Sequence, residues 1–283
     1  MRNENELYKY INYASKRNIS ISRKIYEYDI KQANISVLYA QGKLSDYVYD
    51  RLKHSDKYSR EIYIGKMIAE SKDKTIDHSI KMGIQEAKRE FIYWNEISED
   101  SIVRIANDAL YVIMDYPAKH TDVIVNQSLN EPLYNRTVEF VQKNCYDGYV
   151  HFSNGVWIFY TVLPDGNLDV DVIGLGNYAV AHSYMINMIS TILYYLHNMQ
   201  YDFAITKLSE IIEMYLNQEF PVETYREFNP LGIFRLKRGT NNSGDYYALY
   251  PTNIPENTPV EQLDPSYNYA ILRELYSMVL SLN

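Results

Sequence analysis

The chain has 283 residues, of which 46% are hydrophobic and 23% are charged. These values are typical of one large or two modest folded domains, and they exclude a largely disordered chain. The formal net charge of −8 argues against a protein that coats nucleic acid through overall positive charge, although it is compatible with a local basic surface. The one cysteine, Cys145, excludes an intramolecular disulfide and a thiolate metal cluster.

The apolar segments indicate whether the protein is expected to be secreted or to cross a membrane. Residues 1–6 lack the apolar core of a secretion signal, and the longest apolar stretch, Tyr184–Leu196, is interrupted by polar residues and is too short to span a bilayer. The sequence therefore predicts a soluble protein of the cytoplasm, with no membrane partner. The six histidines show no pair at zinc-ligand spacing, so we expect no zinc site.

The first predicted elements place an aspartate between a strand and a helix. Glu4–Lys16 has the pattern of a helix, and Lys24–Tyr28 alternates as a strand does. From Ile30 the apolar spacing becomes helical, and Gly42 is suited to end that helix. Asp29 therefore lies at the strand-to-helix junction.

A helical block and a hairpin follow. Residues 46–93 have helical spacing with a break near 73–75, and the second half carries a stripe expected to be buried. That stripe consists of Ile80, Gly83, Ile84, Ala87 and Phe91. The apolar runs Ile102–Ala106 and Leu110–Met114 then flank Asn107-Asp108, a dipeptide suited to a tight turn. The pattern predicts a hairpin with a carboxylate at its tip.

The second half of the chain is predicted to be a meander followed by helices. Four short strands are expected at Thr137–Val141, Tyr149–Phe152, Val156–Leu163 and Leu168–Ile173. Two helices (178–197 and 202–218), a polar hairpin around 239–244 and a closing helix from Ser266 come next. The pattern indicates an α+β fold with an antiparallel sheet, divided into domains 1–120 and 121–283.

Asp29 and Asp108 form the one constellation that indicates chemistry. Two aspartates presented from neighbouring strands at one end of a sheet suit a two-metal phosphoryl-transfer site, because Mg²⁺ requires oxygen ligands on a rigid platform. A purely structural interpretation stays open, with Asp29 as the N-cap of its following helix and Asp108 as a turn former.

Both segments resemble motifs of the family A DNA polymerases. Tyr28–Leu38 is similar to motif A, with Asp29 matching the metal-binding aspartate and Gln32 the glutamine. Asn34 stands where that family has the glutamate that screens the sugar 2′ position. Ile105–Val112 resembles motif C, with Asp108 matching the second metal-binding aspartate. The layout also resembles small phage-encoded proteins with a polymerase-like palm.

The resemblance implies a function, a cofactor and a set of partners. It implies a palm-like antiparallel sheet with helices on one face and a short fingers-like insertion at about 46–95. Arg60 and Lys66 would hold an incoming nucleoside triphosphate, beside Gln32 and Asn34. Asp29 and Asp108 would bind Mg²⁺ or Mn²⁺, and the protein would be a minimal nucleotidyltransferase acting on a nucleic acid primer–template.

Departures from the motifs favour an alternative. Asn107 and Ala109 replace the histidine and glutamate of motif C, and Arg60 and Lys66 are six residues apart where the family has four. The alternative is a catalytically inactive phage accessory protein that binds a polymerase, another replication or transcription protein, a host protein or nucleic acid.

The C-terminal part offers further candidate contact residues. The basic run Arg235, Lys237 and Arg238 is a candidate nucleic-acid contact, with a solvated hairpin as the structural explanation. A tyrosine-rich interaction surface is the other hypothesis for this region. Its residues would be Tyr246, Tyr247, Tyr250, Tyr267 and Tyr269.

Overall fold

The computed structural model describes residues 12–71, 75–125, 136–174, 183–221, 224, 234–237, 246–249 and 266–282. The chain divides into two units. The first consists of Met1–Arg17 and Arg23–Cys145, and the second of Asn18–Ser22 and Tyr146–Asn283. The domain boundary expected near residue 120 therefore falls inside the first unit, because the strands that follow residue 120 pair with its sheet.

The first unit contains an antiparallel sheet. Its strands are β1 (Asn12–Ala14), β2 (Ile19–Ile30), β3 (Ile102–Ala106), β4 (Ala109–Ile113), β5 (Asp122–Val123) and β6 (Val138–His151). Their order is β1-β3-β4-β2-β6, and β5 pairs with β6. The first residues of β2, up to Ser22, and the last residues of β6, from Tyr146, belong to the second unit. In the first unit β2 therefore lies between β4 and β6, so its end can meet residues from both neighbours.

Four helices of the first unit follow β2 and precede β3. They are α1 (Ala33–Ala40), α2 (Asp46–Lys53), α3 (Lys57–Glu70) and α4 (Thr75–Trp94). The side chains of Ser45 and Asp56 accept hydrogen bonds from backbone amides at the starts of α2 and α3. Gly42, with φ 71°, follows the end of α1 as the sequence predicts. The predicted helical block is thus three helices, of which α2 and α3 have local start signals.

Helices pack on one face of this sheet. Tyr28 on β2 contacts Phe91 on α4 with ring centroids 4.9 Å apart, and Phe91 contacts Phe140 on β6 at 4.4 Å. Tyr26, Tyr28 and Ile30 are all buried in this core. Because successive side chains of a strand point to opposite faces, the intervening Asp29 projects from the face opposite the one that packs on α4.

The second unit contains a meander and helices. Its further elements are β7 (Trp157–Val162), β8 (Leu168–Ile173), α5 (Ser183–His197), α6 (Tyr201–Leu216), β9 (Phe234–Lys237), β10 (Tyr246–Leu249) and α7 (Ser266–Leu280). The end of β6, β7 and β8 pair in sequence order, and β9 pairs with β10. The predicted α+β class, with an antiparallel sheet, a meander and C-terminal helices, is confirmed.

The predicted N-terminal helix is wrong where the structure describes it. Residues 4–11 lie outside the described part of the chain, whereas Asn12–Ala14 form β1. Asn12 pairs with Ala106 and Ala14 with Arg104, so the pairing with β3 overrides the helical spacing of the isolated segment.

The predicted break before Tyr149 is also wrong. Asp147-Gly148 indicates a turn by composition, yet both residues lie inside the continuous strand β6. A side chain at Gly148 would overlap the carbonyl oxygen of Ser20 and the ring of Tyr160. Glycine is thus present because two neighbouring groups approach the backbone closely, not because the chain turns.

Among the described residues, no helix has both the length and the apolar character that crossing a membrane requires.

Candidate functional site

The β3–β4 hairpin carries Asp108 to the end of β2. Ala106 pairs with Ala109, so the loop consists of Asn107 and Asp108 alone. Asp29 on β2 pairs with Ala109, the residue that follows Asp108. The backbone amide of Ile30 donates a hydrogen bond to the carbonyl oxygen of Asp108 at 3.3 Å. This register places Asp29 and Asp108 side by side, so both residues line one cleft and Asp108 raises the pKa of Asp29.

Asp29 does not cap the helix that follows it. The N-cap position of α1 is occupied by Gln32, whose backbone is left-handed with φ 50° and whose side chain makes no capping hydrogen bond. The structural interpretation of Asp29 as a helix cap is therefore wrong, while Asp108 does occupy the predicted turn. A role for the Asp29 carboxyl group must lie in its surroundings on the sheet.

Electrostatics make the pair of carboxyl groups unusual. Burial, together with the negative charge of the neighbouring Asp108, raises the pKa of Asp29 to about 6. The positive charge of Lys143 partly opposes this shift. One carboxylate oxygen of Asp29, Oδ1, is buried without a hydrogen-bond partner. Two adjacent carboxyl groups with an unsatisfied buried oxygen are destabilised near neutral pH, and a divalent cation would relieve both the repulsion and the missing contact.

The ligand chemistry fits a hard cation. The pair offers only oxygen atoms, which suit Mg²⁺ or Mn²⁺. In the part of the chain that the structure describes, no third aspartate, glutamate, histidine or cysteine joins the pair as a metal-binding group. Glu27 lies two residues before Asp29, but its carboxylate accepts hydrogen bonds from Tyr111 Oη at 2.9 Å and Asn144 Nδ2 at 2.6 Å. Remaining ligands would come from water and a bound substrate.

A cleft of about 450 Å³ opens beside the two aspartates. Its charged lining consists of Asp29, Asp108 and Glu61 together with Lys31, Lys57, Arg60 and Lys143. Lys31 forms an ion pair with Glu139 at 2.7 Å, and Arg60 donates a hydrogen bond to the carbonyl oxygen of Ser55. An acidic pair faced by cations is the arrangement that a polyphosphate bound with divalent metal requires.

Comparison with known families identifies the chain by its sequence. The family model described as Bacteriophage PBS1 gene 130 protein matches residues 1–238, most of the chain and all of the residues lining the cleft. This protein belongs to that family. No curated protein matches the chain. The resemblance to phage-encoded proteins is therefore confirmed at the level of the family, and the family description names no activity.

All four predicted substrate-binding residues lie in the described part of this gene 130 family member. Gln32, Asn34 and Arg60 line the cleft, and Gln32 Nε2 also donates a hydrogen bond to the carbonyl oxygen of Lys53 at 3.1 Å. Lys66 is exposed on α3 and is not among the lining residues. Six residues of helix advance by about 9 Å, which separates Lys66 from Arg60 along α3. Lys57, one turn before Arg60, is a lining cation that the sequence reasoning missed, as are Lys31 and Lys143.

The C-terminal candidates mostly lie beyond the described side chains. Arg235 and Lys237 are on β9, and Tyr246 and Tyr247 on β10, where the structure describes the backbone alone. Tyr267 is the second residue of α7, where again the backbone alone is described, and Tyr269 packs against the core of its unit. Arg238 and Tyr250 lie outside the described residues.

A buried lysine beneath the hairpin is a residue that sequence reasoning missed in this phage protein. Lys88 on α4 is fully buried, and its Nζ donates a hydrogen bond to the carbonyl oxygen of Asn107. Burial lowers the pKa of Lys88 to about 8, and Asp108 partly offsets that shift. A signal was present, because Lys88 follows Ile84 by four residues and precedes Phe91 by three, which places it on the buried stripe.

Proposed function

We propose that this phage protein is a minimal, polymerase-like nucleotidyltransferase that acts on nucleic acid. The observation that carries the proposal is the placement of Asp29 and Asp108 side by side in a cleft that Lys57 and Arg60 also line. The buried, unpartnered Oδ1 of Asp29 supports metal binding by this pair. The resemblance of both segments to motifs A and C supports the same chemistry. The reaction would take place in the cytoplasm of the infected cell.

Each group of the cleft has a distinct role in the proposed reaction. Bound at the pair, Mg²⁺ or Mn²⁺ would supply charge neutralisation for an attacking 3′-hydroxyl and for the transferred phosphoryl group. Asp29 and Asp108 hold the cation from a strand end and a two-residue loop, both fixed by sheet pairing. Arg60 and Lys57 bind the triphosphate through charge, and Gln32 and Asn34 present amide groups to the nucleotide.

The direct test is nucleotide incorporation on a labelled primer–template with Mg²⁺ or Mn²⁺. We expect Asp29→Asn and Asp108→Asn each to lower the rate at least 1,000-fold, because either change removes a charged metal ligand while keeping the side-chain shape. The matched control is Asp50→Asn, since Asp50 is 78% exposed on α2 and lies outside the cleft lining. Incorporation that survives either cleft substitution would contradict the proposal.

A simpler test asks whether the protein binds metal and nucleotide at all. A ligand that binds only the folded chain raises its melting temperature. Mg²⁺ or Mn²⁺ together with a nucleoside triphosphate should therefore stabilise the wild type, and Asp29→Asn should abolish the stabilisation. A wild type that melts at the same temperature with and without these ligands counts against a nucleotidyltransferase.

The second candidate function is a non-catalytic phage accessory protein. Two observations favour it. The pair lacks a third metal-binding carboxylate among the described residues, and Ala109 stands where motif C has glutamate. Such a protein would bind a polymerase, another replication or transcription protein, a host protein or nucleic acid through its surface. It predicts no incorporation on any primer–template and retention of partner binding in Asp29→Asn.

A further inference from the structure

Lys88 is placed where a lysine is energetically unfavourable. The side chain has no exposed surface on α4, and transferring an ammonium group from water into a protein interior is unfavourable unless it is paired. Its Nζ donates to the carbonyl oxygen of Asn107, one residue before Asp108. A methionine or leucine would fill the same volume without this penalty. The position of the ammonium group therefore suggests a role beyond packing.

The hairpin loop is held from two directions. The Ile30 amide on β2 binds the carbonyl oxygen of Asp108 at 3.3 Å, and Lys88 on α4 binds that of Asn107. Asn107 has a left-handed backbone with φ 49°, which a two-residue hairpin loop requires and which asparagine adopts more readily than most residues. The loop is thus a tight turn with two fixed anchors.

Open space lies beside this loop. A second cleft of about 460 Å³ is bounded by residues of α1 and α4 and by Asn107 and Asp108 themselves. Among the described residues, this space leaves the loop room to relax toward α4 once its anchor is removed. Lys88 borders this second cleft and closes the gap between α4 and the loop through its hydrogen bond.

We propose that Lys88 is a positioning residue, which holds the Asn107–Asp108 loop so that the Asp108 carboxylate meets Asp29 at the separation that metal binding requires. The inference rests on the proposed function of the cleft. Lys88 acts through the Asn107 carbonyl group and does not itself contact the metal or the substrate.

If Lys88 acted only through its positive charge, its removal would change metal affinity in the opposite direction from that expected for a positioning residue. Removing a positive charge near Asp108 would strengthen the attraction of the acidic pair for a cation. Loss of positioning would weaken metal binding, because the two carboxylates would no longer be held together before the cation arrives. The sign of the change in affinity therefore distinguishes the two roles.

The experiment measures Mn²⁺ affinity by electron paramagnetic resonance in the full-length chain. We expect Lys88→Met to weaken Mn²⁺ binding at least fivefold and Lys88→Arg, which keeps a charged donor, to stay within twofold of wild type. In Lys88→Gln the side chain is too short to reach the loop, so this variant should behave as Lys88→Met does. It replaces Lys88→Met in the experiment if the methionine variant does not fold. The control is Lys81→Met, which removes an exposed charge from the same helix and cleft.

Turnover adds a second readout. Where the wild type incorporates nucleotides, Lys88→Met should lower kcat at least tenfold with KM for the nucleotide within threefold. Mn²⁺ affinity that is unchanged or higher in both Lys88→Met and Lys88→Gln overturns the inference. A wild type that binds Mn²⁺ without any turnover overturns the proposed function, while the Mn²⁺ series still decides the role of Lys88.

Discussion

Asp29 shows how one side chain can oppose the stability of the fold that presents it. The strand alternation that buries Tyr28 and Ile30 fixes Asp29 on the other face, beside Asp108. The half-buried carboxyl group consequently retains its proton to a higher pH than a free aspartate does. Such a pair of carboxyl groups is unfavourable on its own, and perturbed pKa values of this kind are typical of binding and catalytic sites.

Stability should therefore fall with rising pH because of Asp29. Its pKa is about 6 in the folded chain and 3.8 in the unfolded one, so the folded state holds the proton more tightly. The stabilisation is fully present below about pH 4 and is lost as the pH rises through about 6. A full shift of this size corresponds to about 3 kcal/mol; solvent screening of a half-exposed group leaves about 1–2 kcal/mol.

Urea unfolding at pH 4.5 and pH 7.5 measures this effect. Asp29→Asn should lose that part of the pH dependence and be more stable than wild type at pH 7.5. Millimolar Mg²⁺ should stabilise the wild type at pH 7.5 and leave Asp29→Asn unaffected. Equal pH dependence in the two chains would show that the Asp29 carboxyl group is not destabilised in the folded state.

At the level of single residues, the sequence indicated the acidic pair but not the lysine beneath it. Asp29 and Asp108 are each recognisable because a carboxylate directly follows or interrupts apolar strand residues. Lys88 shares its helical stripe with Ile84 and Phe91, yet lysine at such a position is usually a solvated edge residue. Only the position of the Asn107 carbonyl group shows why Lys88 points inward.

Elements were predictable where their signals are local. The β3–β4 hairpin follows from two apolar runs around Asn107-Asp108. Asp56 directly precedes α3 as its N-cap, and its side chain accepts a hydrogen bond from the Ser59 amide at 2.9 Å. The strands β1 and β6 were not predicted correctly, because pairing partners distant in sequence decide them. Gly148 illustrates the limit, since its glycine reflects the approach of Tyr160 and not a turn.

The packing of α1 on α4 depends on another glycine. A Cβ atom at Gly83 would lie 2.6 Å from Gln41 Nε2 and 2.9 Å from Val37 Cβ, both on or directly after α1. Alanine is favoured over glycine in a helix by about 1 kcal/mol, but this overlap forces the helices apart. We expect Gly83→Ala to lower the free energy of unfolding by about 1–2 kcal/mol, measured by urea denaturation.

Gly65 on α3 is the matched control for Gly83. No atom lies within 4 Å of a Cβ built at Gly65, so only the helix preference acts there. Gly65→Ala should therefore raise the free energy of unfolding by about 0.5–1 kcal/mol. Equal effects of the two substitutions would contradict a close approach of α1 and α4.

For the whole molecule, the net charge of −8 limits how nucleic acid can be bound. The cleft contributes Lys57, Arg60 and Lys143 as cations that could meet phosphates, although Lys57 also pairs with Glu61 at 3.8 Å. Lys31 pairs more closely with Glu139, at 2.7 Å. Nucleic-acid affinity depends on salt in proportion to the number of phosphates neutralised. A protein of this charge is thus expected to make few phosphate contacts and to depend on divalent cations.

Salt dependence of primer–template binding tests this expectation. With about three phosphate contacts, the slope of log affinity against log salt concentration should be about −3. Fluorescence anisotropy between 25 and 200 mM KCl measures it, and Lys143→Ala should make the slope shallower by about one. A slope of −6 or steeper would contradict a cleft-only contact and would direct attention to Arg235, Lys237 and Arg238.

The division of the chain into units has a consequence for how its parts can be separated. Residues 18–22 belong to the second unit, where the His151 amide donates a hydrogen bond to the Asn18 carbonyl oxygen at 2.7 Å, although the rest of that unit begins at Tyr146. A fragment starting at residue 146 would leave this sheet edge unpaired and prone to aggregation. Neither unit is therefore encoded by a continuous piece of the gene that contains that unit alone.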